Sequence, residues 1–504
     1  MMNRYRYLRA ALLAGAAFGI VGAAAAGPAC AQDEAVRTAR PDAPVDPRDS
    51  EINELRAEIH DLAAQVADLK ASTANGERAI RQDAAAAPKV SLDGGRPVFS
   101  SADGSTRIAL RSIVQFDAAS YHTSPLTAAN DLSSGTNFRR ARLGIDGTSG
   151  AWNYALWAEL GGSGGESPVL NQAWIEYAGL KPLGLPNPLL IRIGAWAAPA
   201  GLEDATPNTE GLFLERPGVA ELVRGLAAGD GRAGAGLTTS GARWFAEAVL
   251  TGKVVGAPST PTFGQQAGFV TRVAANPIHG PDYDVHVGAS IEGVLRPADT
   301  AAGPAVAEAV RLSQPPELRV SSTALVDTGA INARHETSFG AEAGASWRNL
   351  YVAGEWYRLD VDRKAVVGSP SPFDPSFSGW YVQGAWSLTG ERHVWTPSSG
   401  GFRGVRPSDP FDLSKGTWGA WEIAARYSRL DLNDHAGAHG ATTPVGGVRG
   451  GNQDITTVGI NWYPSSLIRF LLDYQRADIT RLSAAGANIG EHENALAFRS
   501  QFTF

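Results

Sequence analysis

The stretch that most constrains this chain is its last, Asn494 to Phe504. Leu496, Phe498, Phe502 and Phe504 share one parity, interrupted by Ser500, while Ala495, Ala497, Arg499, Gln501 and Thr503 share the other. Period-two alternation of this kind marks a β-strand with unlike faces. Two settings accept such a strand: the edge of a soluble sandwich, or the wall of a barrel with lipid outside and water inside. The rest of the chain has to choose between them.

No run after the N-terminus reaches the roughly 18 apolar residues that a membrane helix needs, which excludes a helical membrane protein. The formal charge of -7 leaves no basic face for nucleic acid. A single cysteine, Cys30, cannot form an internal disulfide, so stability has to come from hydrogen-bonded closure. Residues 1–31 open with Arg4, Arg6 and Arg9, continue through an apolar middle from Ala10 to Ala26, and end in Ala29-Cys30-Ala31. That pattern reads as a secretory signal peptide with its cleavage site, so export is expected.

Residues 32–50, rich in Pro, Asp and Ala, read as a linker. Apolar residues then recur at Ile52, Leu55, Ile59, Leu62, Val66 and Leu69, which predicts a short coiled coil over 51–75 ended by Asn75 and Gly76, and with it self-association. The alternative is an amphipathic helix packed on its own chain. Residues 76–104 read as a second linker and lead-in.

From 105 to 504 the chain alternates in short segments separated by Gly, Pro, Asn and Asp clusters, giving about sixteen strands between 105–118 and 493–504. Connections alternate in length. Those at 148–150, 241–242, 348–349 and 464–466 are short, whereas those at 197–233, 294–338 and 359–377 are long. Outer-membrane barrels have short turns on one side and long loops on the other, and a sandwich needs no such asymmetry. The connection at 389–417 is the one long exception on the short side. The fold expected is therefore all-β: a transmembrane antiparallel β-barrel of about sixteen strands behind a short N-terminal coiled-coil helix. Trp152, Trp196, Trp347, Tyr351, Trp418, Trp462 and Tyr463 sit near strand ends, where interfacial girdles belong.

Several segments carry a resemblance. They include Lys89-Val90-Ser91-Leu92, Phe138-Arg139-Arg140-Ala141-Arg142-Leu143-Gly144, Phe213-Leu214-Glu215-Arg216, Trp380 to Gly384, Leu388 to Arg392, Gly419 to Ser428, and Asn461-Trp462-Tyr463-Pro464. Over residues 89–504 the chain resembles the phosphate- and polyphosphate-selective porins of Gram-negative outer membranes. The resemblance implies a sixteen-stranded, trimeric passive channel, with the coiled coil in the periplasm and outer-membrane lipid and lipopolysaccharide around the barrel. A terminal phenylalanine also looks like the signal that outer-membrane assembly machinery reads.

In a water-filled barrel, selectivity is set by charged side chains at the narrowest zone, and the planar fork of arginine suits phosphate. Alternation turns Arg107, Arg111, Arg140, Arg142, Arg192, Arg243, Arg272, Arg426, Arg469 and Arg499 inward, against inward acids such as Asp117, Asp146, Glu159, Glu176, Glu422 and Asp473. The loop 197–233 is the candidate constriction, with Arg216, Arg224 and Arg232. The family's lysine-rich constriction has no counterpart here, since residues 89–504 hold only Lys89, Lys181, Lys253, Lys364 and Lys415. Small anions, phosphate or polyphosphate among them, are the expected solutes; a general diffusion porin or an envelope-tethering barrel are the alternatives. No cofactor or metal ligand set is apparent. Gly161-Gly162-Ser163-Gly164-Gly165 formally matches a nucleophile elbow but lies between barrel strands and not at a strand-to-helix turn, so no enzyme is expected.

Overall fold

The computed structural model describes residues 47–123, 131–161, 169–182, 184–255, 264–299, 308–364 and 373–504. The signal peptide and most of the first linker, and Gly162 to Gly165, lie outside the described residues. The strands are β1 (Thr106–Thr123), β2 (Gly135–Ser149), β3 (Trp152–Glu159), β4 (Val169–Leu180), β5 (Leu189–Trp196), β6 (Arg232–Ser240), β7 (Trp244–Val254) and β8 (Ala267–Gly280). They continue with β9 (Tyr283–Arg296), β10 (Val326–Trp347), β11 (Leu350–Arg363), β12 (Ser376–Ser387), β13 (Ala420–Asp434), β14 (Val448–Tyr463), β15 (Ile468–Thr480) and β16 (His492–Thr503). Each pairs antiparallel with the next, and β16 returns to β1 through pairs such as Phe498 with Ala118 and Arg499 with Asp117. The sheet closes, so its sixteen strands leave no free edge to aggregate or to strand hydrogen-bonding groups in lipid.

The outer face is apolar. On the closing strand Leu496, Phe498 and Phe502 are exposed, and Phe498 lies beside Leu472 of β15. The two-residue turn between β2 and β3 starts at Gly150, whose φ of 57° suits glycine at this position of a tight hairpin. Of the aromatic residues expected in the girdle, Trp152, Trp347 and Trp418 are exposed, but Trp196, Tyr351 and Tyr463 are buried. Parity explains the correction: one step along a strand reverses the face, so Trp462 points outward and its neighbour Tyr463 inward.

Before the barrel runs a helix, α1 (Pro47–Ala86), longer than the 51–75 expected. Asn75 and Gly76 do not stop it. A single glycine inside a helix costs about 1 kcal/mol, whereas Pro88 bars continuation outright. None of its residues is buried, and the seam from Ile52 to Leu69 is exposed among the described residues. The lead-in is structured as well: Lys89–Asp93 and Arg96–Ser100 form a hairpin whose second strand pairs with β1, setting Val98 opposite Ala109.

Three connections fold into the lumen. The one from β5 to β6 carries helices α2 (Leu202–Ala205) and α3 (Gly218–Leu226). The one from β12 to β13, long although it lies at the short-turn end, enters from that side; Gly404 N donates to Glu210 Oε2 (3.0 Å). The one from β9 to β10 adds a strand, Ala309–Gln314, against the start of β10 and then crosses the long-loop end. The lumen is not water-filled throughout, as the alternation alone implied. At the long-loop end it is packed with Leu222, Val223, Leu318, Leu359, Leu430 and Ile455 in one buried apolar cluster.

Candidate functional site: the arginine-lined lumen

The site is built where β2 meets the loop from β5 to β6. On β2 the pairing steps from Gln115–Arg140 to Phe116–Phe138, leaving Arg139 as an extra residue. This β-bulge turns both Arg139 and Arg140 inward, which simple alternation forbids. Opposite them the loop presents Phe213 to Arg216, hung by its backbone: Leu214 N donates to Asp473 Oδ2 (2.8 Å), and Leu214 O accepts from Arg499 Nη1.

Glu215 is the hub. Its carboxylate accepts from Arg139 Nε (2.8 Å) and Arg499 Nη2 (2.8 Å), and its carbonyl accepts from Arg426 Nη1 (3.0 Å). Arg499 also grips Asp117 with two bonds of 2.7 Å, and Arg426 lies over the Phe213 ring at 4.5 Å. Burial would push the Glu215 carboxyl up, but Arg139, Arg499 and Arg140 together hold it well below the usual carboxylate range. A second chain of charges lies alongside. Arg142 bridges Glu159 (2.5 Å) and Asp230 (2.7 Å), and Arg224 bridges Asp230 and Asp204. Asp230, which is only partly buried, is held low by Arg224 and Arg142.

This second chain of pairs also forms one edge of the open part of the lumen. A cavity of about 780 Å³ faces the short-turn end, bounded by Gly147, Ser465 and Leu467 near the turns and by Asn208 to Glu210 of the inward loop. Nine arginines line it against six carboxylates and no lysine: Arg96, Arg107, Arg111, Arg142, Arg216, Arg224, Arg403, Arg406 and Arg469 against Asp93, Asp146, Glu176, Asp204, Glu210 and Asp230. Arg403 (3.3 Å) and Arg406 (3.7 Å) share one carboxylate, Glu210, and both remain exposed. Arg469 reaches Thr209 O (3.3 Å) and lies 4.8 Å from the Tyr463 ring centroid.

Of the residues that the sequence turns inward, Arg107 pairs with Asp93 (2.7 Å) and Arg111 with Asp146 (2.8 Å) in this vestibule. Arg140 is buried against Gln115 Oε1 (2.7 Å). Arg192 pairs with Glu176 (2.6 Å) and stacks on Trp174 (4.1 Å). Arg272 holds Glu342 (2.7 Å) and the carbonyls of Ser399 and Gly400, clamping the connection from β12 to β13. Two arginines depart from expectation. Arg243 sits exposed in the turn between β6 and β7. Arg232 spends its guanidinium on the carbonyls of Ala228, Gly225 and Gly252, bracing the loop's exit.

The alternation missed Arg139, whose signal is the bulge, and Arg403 and Arg406, which depend on a loop path that no periodicity encodes. Among the described residues no group of three or more His, Cys, Asp or Glu side chains could hold a metal ion.

Comparison with known proteins follows the same lines. A porin named Porin O, from Pseudomonas aeruginosa, is 22% identical over 382 residues, covering 73% of this chain and 82% of that one. An uncharacterized protein of Caulobacter vibrioides is 26% identical over 405 residues, 78% of this chain and 73% of its own. Distant structural likenesses include a loop-deletion mutant of OmpT, an outer membrane protein of Vibrio cholerae (TM-score 0.46, 10% identity, 79% of this chain and 100% of that one). An anion-selective porin from Comamonas acidovorans is another (TM-score 0.44, 12% identity, 79% and 100%). The model of the family described as phosphate-selective porin O and P matches residues 108–504, well over half of the chain. The chain therefore belongs to that porin family, as an outer-membrane β-barrel channel.

Proposed function

We propose that this channel passes small anionic solutes, with phosphate or polyphosphate among them, from the outside into the periplasm, and that the short-turn end faces the periplasm. The single observation that carries the reading is the vestibule, where, outside the buried pairs of Arg142, Arg216 and Arg224, six arginines (Arg96, Arg107, Arg111, Arg403, Arg406 and Arg469) face four carboxylates (Asp93, Asp146, Glu176 and Glu210). Such an excess in a water-filled funnel lowers the energy of anions entering it and raises that of cations. Arg107, Arg111, Arg403, Arg406 and Arg469 are the residues proposed to meet the solute. Arg140, Arg142, Arg426 and Arg499, already paired or bonded, are proposed to shape the constriction, with Arg216 and Arg224 on its loop.

The working form is proposed to be a homotrimer. Strands β3 and β5 have eight residues each and β6 nine, at or below the roughly 9–11 that a tilted strand needs to span lipid. A wall that low is better covered by another copy. The exposed seam of α1 supports the same conclusion, as a periplasmic coiled coil following a cleaved signal peptide. Elsewhere the barrel is proposed to meet outer-membrane lipid and lipopolysaccharide.

Chloride current through the reconstituted protein, recorded with increasing phosphate, tests the solute class. Phosphate preference appears as a falling chloride current at millimolar phosphate; an unchanged current removes phosphate and leaves a general anion channel.

A further inference from the structure

Opposite the vestibule, described residues pack across the long-loop end of the lumen. Residues 315–325, between β9 and β10, cross the mouth from wall to wall. Pro316 O accepts from Gln475 Nε2 of β15 (2.7 Å), Arg319 O from Asn137 Nδ2 of β2 (3.1 Å), and Ser321 N donates to Tyr121 Oη of β1 (3.3 Å). Beneath, Leu318 and Leu325 join Leu222 and Val223 of α3 and inward Leu359 and Leu430 in the buried apolar cluster. A hydrated anion cannot enter such a layer without losing its water, at a cost of many kcal/mol. Conduction through this layer therefore requires it to part.

One residue ties the crossing segment down. The Glu317 carboxylate, 2% exposed, accepts from Gly218 N at the start of α3 (3.1 Å), from Ser428 Oγ of β13 (2.6 Å) and from Arg426 Nη2 of the same strand. It thus joins lid, inward loop and wall at one point. Its backbone lies at φ 62°, a left-handed conformation that a glutamate adopts only when its surroundings enforce it. The bonds that hold it compete with a local preference to leave.

We infer that residues 315–325 form a lid, with Glu317 as its latch, and that the channel alternates between this shut arrangement and a conducting one in which Glu317 has left Arg426, Ser428 and Gly218. The inference rests on the reading of the chain as an anion channel. Opening exposes Arg426 at the top of the passage, so the step that removes the lid also adds a free cation where an entering anion would meet it.

The test uses the full-length protein in planar bilayers, with heat-modifiable migration on gels as the check that the barrel is intact. Wild type is expected to dwell in long closures. Glu317→Gln, which keeps the shape but loses the charge, is expected to raise the open fraction about tenfold, the ratio that corresponds to about 1.4 kcal/mol. Glu317→Gly, which also relieves the backbone, is expected to do at least as much. Ser428→Ala, which removes one bond from the wall, gives a smaller change in the same direction and serves if the Glu317 variants do not assemble. An open fraction that is the same in wild type and every assembled variant overturns the latch while leaving the channel intact. Intact barrels that pass no current in any form overturn the channel reading as well.

Discussion

On β13 the inward row begins Glu422, Ala424, Arg426, Ser428 and finishes Leu430, Leu432; on β15 it begins Arg469, Leu471, Asp473, Gln475 and finishes Ala477, Ile479. In the first half, Arg469 lines the vestibule and Arg426 joins the ion-pair network, while Leu430, Leu432, Ala477 and Ile479 of the second half belong to the dry packing, which Leu471 also joins. One wall therefore carries two environments along a single parity. The polar end is held by paired charges and the apolar end by packing. Position along the row decides what it touches.

The polar half should be the more sensitive to loss of one partner. Glu215→Ala leaves Arg139 and Arg499 without a shared carboxylate, and removing one member of a buried pair typically costs about 3–5 kcal/mol. A large drop in unfolding midpoint, with irregular conductance from a loosened loop, is expected; a variant as stable as wild type would mean that the network is incidental. The apolar half is probed by Leu222→Ala, a core truncation of about 2–4 kcal/mol. Its distinguishing outcome is a persistent leak current, because the dry layer thins. A destabilised barrel that stays shut would break the contrast drawn between the two ends.

Acid separates them further. Glu215 and Asp230 have folded pKa values below their unfolded ones, so their stabilisation is fully present above the ordinary carboxylate range near pH 4 and is lost only as pH falls through the depressed values. The contribution of Glu215 and Asp230 to current noise should therefore stay constant from pH 8 to about 4.5 and grow below that. Noise below pH 4.5 that is the same in wild type and Glu215→Ala would remove Glu215 from the acid response. The smallest effect on stability belongs to Arg403→Glu, since an exposed pair is worth about 0–1 kcal/mol, yet it should shift selectivity toward cations. Unchanged selectivity would remove Arg403 from the solute path.

Much of this architecture was legible in the sequence. All sixteen strands follow from alternation bounded by turn residues, and the apolar face of the closing strand is fixed by Leu496, Phe498 and Phe502. What escaped is whatever depends on one extra residue or on a loop's path. Arg139 turns inward only because a bulge breaks the parity that predicts it outward, and α1 runs through Asn75 and Gly76 because their combined cost is small beside that of a proline. The dry end escaped too: Leu430 and Leu432 share the inward parity of β13, but only the path of residues 315–325 packs them away from water.

A reversal potential measures the excess of arginine in the vestibule directly. With the purified protein in a bilayer and a tenfold gradient of potassium chloride, the zero-current potential should take the sign set by chloride. A potential of the opposite sign, set by potassium, would contradict the assignment of the vestibule as an anion path.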